Sequence, residues 1–116
     1  MIYLVSLFQV RAADVCAFED AFRKGGTWHE LHRSLPGYIH SDLLVSSASP
    51  TCFLLLQFFQ SEDAAQLAQR NSEVFSFRAS IRMLAINYVE LGAFRFRKAD
   101  AFTWPFHSNR ARPFVV

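Results

Sequence analysis

The densest chemical cluster of the chain is Trp28-His29-Glu30-Leu31-His32. Three residues apart on a helix, His29 and His32 share a face, where imidazoles can move a proton near neutral pH or begin a metal site. Two histidines make only half of a metal site, and Glu30 or His40 could join them only through the tertiary fold. A solvated helix face accounts for both residues as well. The chemical reading makes His32 and His29 proton-transfer groups and Trp28 either a packing lid or a substrate platform. Glu90 is the third catalytic candidate. Placed with Tyr88, Phe94 and Phe96 on one strand face, it would have a raised pKa and could serve as acid or base, although an interface salt bridge explains it equally. Arg78 and Arg82, four apart on a helix, can hold an anion or simply be solvated. His40 and Asp42, two apart on a strand, can pair as an oriented base, with an exposed or interfacial face as the plainer account.

These residues need elements to hold them. The strongest is Cys52 to Gln60, CFLLLQFFQ, whose only interior polar residue is Gln57. As a strand it sends Cys52, Leu54, Leu56 and Phe58 one way and Phe53, Leu55 and Phe59 the other, so both faces need cover. Ile2 to Val10 reads as a first strand. A helix follows from Asp14, with Val15, Phe18, Ala21 and Phe22 as its apolar stripe. Gly25-Gly26 interrupts it, and Thr27 with Glu30 reads as a capping box for a second helical piece ending at Leu35-Pro36-Gly37. Tyr38 to Ser47 is a strand with Ile39, Leu43 and Val45 on one face. After Cys52 to Gln60, Ser61 caps a helix running to about Gln69, and a further helix carries Val74, Phe77, Ile81 and Leu84 to about Asn87. Tyr88 to Arg97 is the last strand. The order β-α-β-β-α-β predicts an α+β, ferredoxin-like plait with a four-stranded antiparallel sheet and helices on one face.

The 116 residues suit one domain; with 52% hydrophobic residues, 13 Phe and only 19% charged residues, the chain is too apolar for disorder and greasy for a lone small monomer. Residues 1–94 hold seven Lys/Arg against nine Asp/Glu, so the five remaining basic residues lie at the C-terminal end. The expected division is a folded domain over 1–97 and a basic, aromatic arm over 98–116, which would lie across a partner subunit or a pocket mouth. Aromatics among basic residues can bind single-stranded nucleic acid, but the acidic body speaks against it. No apolar run is long enough for a membrane span and the N-terminus lacks a signal-peptide pattern, so the expectation is a cytoplasmic protein with no membrane partner. Cys16 and Cys52 show no metal or redox spacing and read as small buried residues. Helices can cover only one face of the sheet, and the doubly apolar central strand then predicts a homodimer joined through the open sheet faces.

The segments Leu35-Pro36-Gly37-Tyr38-Ile39, Phe59-Gln60-Ser61-Glu62-Asp63-Ala64 and Asn71-Ser72 resemble the antibiotic biosynthesis monooxygenase type of the dimeric α/β-barrel superfamily, over about residues 2 to 97. The resemblance implies a dimeric α/β barrel with a pocket between sheet and helices, where relatives oxidise polyketide phenols without a metal or degrade haem. Haem-degrading relatives use an Asn on the first strand and a His on the later helix. Here Ile2 to Val10 has no Asn and Ser61 to Asn87 has no His, so that route is set aside. The cofactor-free oxygenases surround the phenol with Asn, Trp, Tyr and Arg, which makes Trp28, Tyr38, Asn71, Arg78, Arg82 and Tyr88 the substrate-binding candidates. The expected function is therefore a small dimeric monooxygenase-like enzyme acting on an aromatic or polyketide-like substrate, with no cofactor. The alternative is a non-catalytic small-molecule-binding or stress-response barrel, since the same fold hosts both.

Overall fold

The computed structural model describes residues 1–97, so the 98–116 arm expected from the sequence lies outside the described residues. The chain runs β1 (Ile2–Val10), a 3-10 turn (Ala12–Asp14), α1 (Val15–Phe22), α2 (Thr27–His32), β2 (Tyr38–Val45), β3 (Cys52–Phe59), α3 (Glu62–Arg70), α4 (Ser72–Arg82) and β4 (Ala85–Arg95). The four strands form one sheet in the order β2-β3-β1-β4, and every neighbouring pair is antiparallel. This is the α+β, ferredoxin-like plait predicted by the element order.

β3 explains why the sheet is built around it. Phe53, Leu55, Gln57 and Phe59 are buried beneath the helices, while Cys52, Leu54, Leu56 and Phe58 are half-buried on the opposite, open face. Two apolar clusters fill the space between sheet and helices. One gathers Phe8, Val10, Phe18, Trp28, Phe53, Leu55 and Ile81; the other gathers Ile2, Leu4, Phe59 and the alanines Ala64, Ala65 and Ala68 of α3. Along β1 the sequence passes from Leu4 to Phe8 through Ser6, and along β3 from Leu55 to Phe59 through Gln57. A polar seam therefore separates the two clusters, and it is fully buried.

Several boundaries and faces differ from the sequence reading, each for a local reason. Thr27 opens α2 but does not cap it: Gly26 occupies the cap with no side-chain bond, and Glu30 turns instead to Arg33 at 3.5 Å. The helix ends at His32, short of the Leu-Pro-Gly turn. A register shift between Tyr38 and His40 makes Ile39 the odd residue, so Tyr38 and Ser41 both face inward. α4 stops at Arg82, and β4 begins at Ala85 rather than Tyr88. Within β4 a bulge pairs Gly92 with Val5 but Glu90 with Ser6. Gly92 carries the bulge at φ +108°, a value L side chains rarely adopt. Tyr88 and Glu90 consequently share the inner face, whereas Phe94 pairs with Tyr3 on the open face, and Phe96 meets Tyr3 there too. The predicted single face for all four residues is broken. Cys16 is also exposed rather than buried, and Cys52 is half-buried.

Candidate active site

The seam is organised by α2 and α4 crossing the inner face of the sheet. α2 presents Trp28 and His32, four apart on one stripe, and both are buried. Their rings stack at 4.0 Å, and the His32 Nδ1 lies 2.9 Å from the Trp28 carbonyl oxygen. A carbonyl can only accept, so Nδ1 carries the ring proton and Nε2 is left as an acceptor. Gln57 Nε2 lies 3.3 Å from that nitrogen and donates to it. The other end of the same amide, Oε1, accepts from Arg78 Nη2 at 2.8 Å. Arg78 continues the chain toward β4, where its Nη1 lies 3.5 Å from the Tyr88 hydroxyl and 3.6 Å from Glu90. Tyr88 in turn donates to Glu90 at 2.8 Å.

A branch leaves the other side of α2. The Trp28 indole N–H donates to Ser41 Oγ at 3.1 Å, and the Tyr38 hydroxyl meets the same Ser41 oxygen at 2.7 Å. The inward turn of both β2 residues is the product of the bulge at Ile39. A cavity of about 350 Å³ opens against this branch, walled by Trp28, Tyr38 and Ser41 and bordered by His29, Lys24 and Arg33. That volume lies within the range of small-molecule sites. A second hollow of about 150 Å³ sits at the far end of the chain, between Gln69, Arg78, Arg82, Tyr88 and Glu90.

Burial sets the protonation of the seam. His32 is pushed down to about 4 because desolvation disfavours the imidazolium, with the Arg78 charge adding to the effect and the bond to Trp28 opposing it. At neutral pH it is an uncharged ring. Burial raises the Tyr38 hydroxyl against the opposing bond from Ser41, and it raises Tyr88, whose bond to Glu90 acts in the same direction. Both phenols therefore keep their protons at neutral pH.

The sequence-predicted residues thus fall into two groups, with His32 and Asn71 in neither. Trp28, His29 and Tyr38 border the larger cavity; Arg78, Arg82, Tyr88 and Glu90 meet at the smaller hollow, with the Arg82 guanidinium over the Tyr88 ring at 4.7 Å. His32 lies between them, buried rather than solvated and bordering neither cavity. Its bonds to Trp28 and Gln57 take up both ring nitrogens. Glu90 keeps company with Arg78 and Tyr88 instead of Phe94 and Phe96, which corrects the apolar setting expected for it. Asn71 stands apart: its side-chain oxygen caps α4 by accepting from the Glu73 and Val74 amides at 3.0 and 3.1 Å. His40 and Asp42 pair at 3.3 Å on the open face, where His40 packs at 4.3 Å from Phe58, and His40 also borders the larger cavity. Sequence reasoning singles out neither Gln57 nor Ser41 as a site residue. Gln57 was legible as the single polar residue inside an apolar strand; Ser41 was not, because only the bulge turns it inward. Among the described residues no three His, Cys, Asp or Glu side chains stand close enough together to hold a metal ion, and no helix is long and apolar enough to cross a membrane.

Comparison with known proteins extends the geometry. A family model described as antibiotic biosynthesis monooxygenase matches residues 1–79. No curated protein matches the chain. Among solved structures, a single-residue mutant of SnoaB from Streptomyces nogalater, a cofactor-independent oxygenase, superposes with a TM-score of 0.72 at 20% identity, covering 84% of this chain and 93% of its own. A protein from Nitrosomonas europaea named for the same monooxygenase family gives 0.64 at 20% identity, covering 83% and 98%. A conserved protein from Methanosarcina mazei gives 0.65 at 14% identity, covering 83% and 92%. At such identities these likenesses show the fold.

Proposed function

The chain belongs to the antibiotic biosynthesis monooxygenase family, and from that premise we propose that it oxidises an aromatic, phenol-bearing substrate bound in the cavity beside Trp28, using O₂ without a resident cofactor. The observation that carries this reading is the convergence on one 350 Å³ cavity of an indole wall, two hydroxyls in mutual contact and the imidazoles of His29 and His40. An indole and a phenol offer flat apolar area for a ring, and the Tyr38 hydroxyl offers a donor to a developing phenolate. His29 serves as the base that removes the substrate proton, in place of the buried His32. Lys24 and Arg33 at the border favour the resulting anion.

The chemistry balances without an added reductant. O₂ adds at an electron-rich ring methylene of the anion, giving a hydroperoxide after one proton returns. Loss of water then leaves a carbonyl, so one oxygen atom stays in the product and the other leaves as water, while the substrate supplies the electrons. Oxygen consumption by the purified protein with anthrone, a phenol-tautomeric probe of suitable size, tests this. Expected is uptake of one O₂ per quinone formed, at a rate reduced roughly hundredfold or more in His29→Ala, the usual scale for loss of a general base. Binding of the probe with no uptake above the protein-free rate would favour the alternative, a small-molecule-binding barrel.

The same reading includes a homodimer through the open sheet face. An aromatic row crosses that face from strand to strand: Phe96 to Tyr3 at 4.9 Å, Tyr3 to Phe58 at 4.2 Å and Phe58 to His40 at 4.3 Å between ring centroids. Phe94 and Leu44 are about half exposed beside it and Phe96 is 71% exposed. At roughly 25 cal/mol per Å² of apolar surface, leaving such a face in water forgoes several kcal/mol, which a second sheet packed face to face recovers. Sedimentation equilibrium at micromolar concentration should give twice the 13.3 kDa chain mass. Leu56→Lys, which puts a charge at the centre of the face, should give the single chain mass with the far-ultraviolet circular dichroism unchanged; a dimeric Leu56→Lys would place the contact elsewhere.

A further inference from the structure

Gln57 is a buried amide, 1% exposed, engaged at both ends by groups from two different helices. On one side is an imidazole nitrogen that needs a donor, and on the other a guanidinium that needs an acceptor. A hydrophobic side chain would leave both orphaned at a cost for each buried group. A carboxylate could satisfy Arg78 but offers His32 no proton. A hydroxyl is too short to span the two. Of the neutral side chains, an amide at the end of two methylenes meets both demands, and neither end has to flip for the other to bond.

We propose that Gln57 is the positioning residue of the cavity: by donating to His32 and accepting from Arg78 it holds, together with the Trp28 carbonyl, the imidazole in the tautomer with its proton on Nδ1, and through the stacked imidazole it fixes the Trp28 indole that forms the cavity wall. It touches neither cavity itself. The charged and titratable groups facing His32 are Arg78 from α4 and Tyr38 from β2, the latter at 5.3 Å between ring centroids, and the Trp28 carbonyl faces it from its own helix. With Arg78 already cationic, a second charge on His32 would be repelled, and the amide keeps the two apart while linking them. The His32 ring then stays neutral and flat against Trp28, and the indole keeps its N–H aimed at Ser41. The chain also runs on to Glu90, so the Trp28 wall and the Arg78 hollow are held by one continuous set of bonds. The assignment rests on the proposed cavity reading only for its kinetic arm.

Nitrogen-15 spectra of the imidazole side chains test it on the intact protein. In the wild type His32 should appear as a neutral ring protonated at Nδ1, with its titration midpoint near 4. Gln57→Glu replaces the donor with an anion, and His32 should then carry two ring protons at pH 7, its midpoint having climbed to neutrality or above. Under the oxygenase reading the same variant should raise KM about tenfold with kcat changed less, because the Trp28 wall it displaces holds the substrate ring while His29 has no bond to Gln57. A wild-type His32 protonated at Nε2, or a Gln57→Glu protein in which His32 stays neutral at pH 7, overturns the assignment. Should Gln57→Glu fail to fold, Gln57→Met decides: the His32 Nε2 resonance must move on losing its donor, and an unmoved resonance overturns the assignment equally. None of the spectra needs substrate, so failure of the wild type to consume O₂ would strike the oxygenase reading and leave these outcomes standing.

Discussion

Trp28→Ala will lower stability by about 3–5 kcal/mol, the usual cost of truncating a buried tryptophan, and will abolish probe binding in the adjoining cavity. Trp28 is 2% exposed, packs at 5.0 Å from Phe22 and 4.0 Å from His32, and stands at the joint between the apolar cluster and the polar seam. Its removal leaves a void against Phe22 and takes away the ring on which His32 lies. Trp28→Phe separates the two roles. The smaller ring preserves most of the packing but has no N–H for Ser41, which keeps its bond to Tyr38; the expected loss of stability is about 1 kcal/mol, with probe affinity reduced severalfold. Urea unfolding followed by circular dichroism, and equilibrium dialysis of the probe, measure the two quantities. Equal stability losses in the two variants would mean that the hydrogen bond to Ser41, and not the ring, carries Trp28's contribution.

The fold was legible because its signals are local and repeated. β1 follows from a run of β-branched and aromatic residues, α3 from Ser61, whose hydroxyl accepts from the Ala64 amide at 3.1 Å, and the two-sided demand of β3 follows from its near-continuous apolar run. The open face was legible too, since alternation in β3 separates Leu54, Leu56 and Phe58 from Phe53, Leu55 and Phe59. The site was harder for one physical reason: bulges add a residue to one strand and reverse the faces beyond it. One such shift turns Tyr38 and Ser41 inward together, and another takes Phe94 and Phe96 away from Glu90. No propensity marks the first, and only Gly92 marks the second. His32 illustrates a different limit. Its spacing from His29 suggested a shared solvated face, but its spacing from Trp28 is four and the structure buries that stripe. Gln57 was visible as an interruption, and its partners could be named only once α2 and α4 lay over it.

Acidification will destabilise the protein through His32. The ring titrates at about 4 in the folded chain against an ordinary value of 6.5, so the folded-state value is depressed. The unfolded chain therefore takes up a proton at His32 at a pH where the folded chain does not. Stability from this source is full above 6.5, falls as the pH drops from 6.5 toward 4, and is lost below that. Between about pH 7 and pH 4.5 the loss comes to roughly 2 kcal/mol, a fraction of a typical domain's total that is large enough to shift a urea midpoint clearly. His32→Gln supplies the control. A glutamine can donate to the Trp28 carbonyl and accept from Gln57 without titrating, so its unfolding free energy should change by roughly 2 kcal/mol less over the same interval. For a histidine the direction is diagnostic: a surface ring gaining a carboxylate partner would stabilise the fold on acidification, whereas a buried, uncharged ring makes acid destabilising, and the His32→Gln control separates its effect from that of the carboxylates. A wild type and a His32→Gln variant with parallel pH profiles would mean that His32 reaches water, and the polar seam would then have to be open where the geometry closes it.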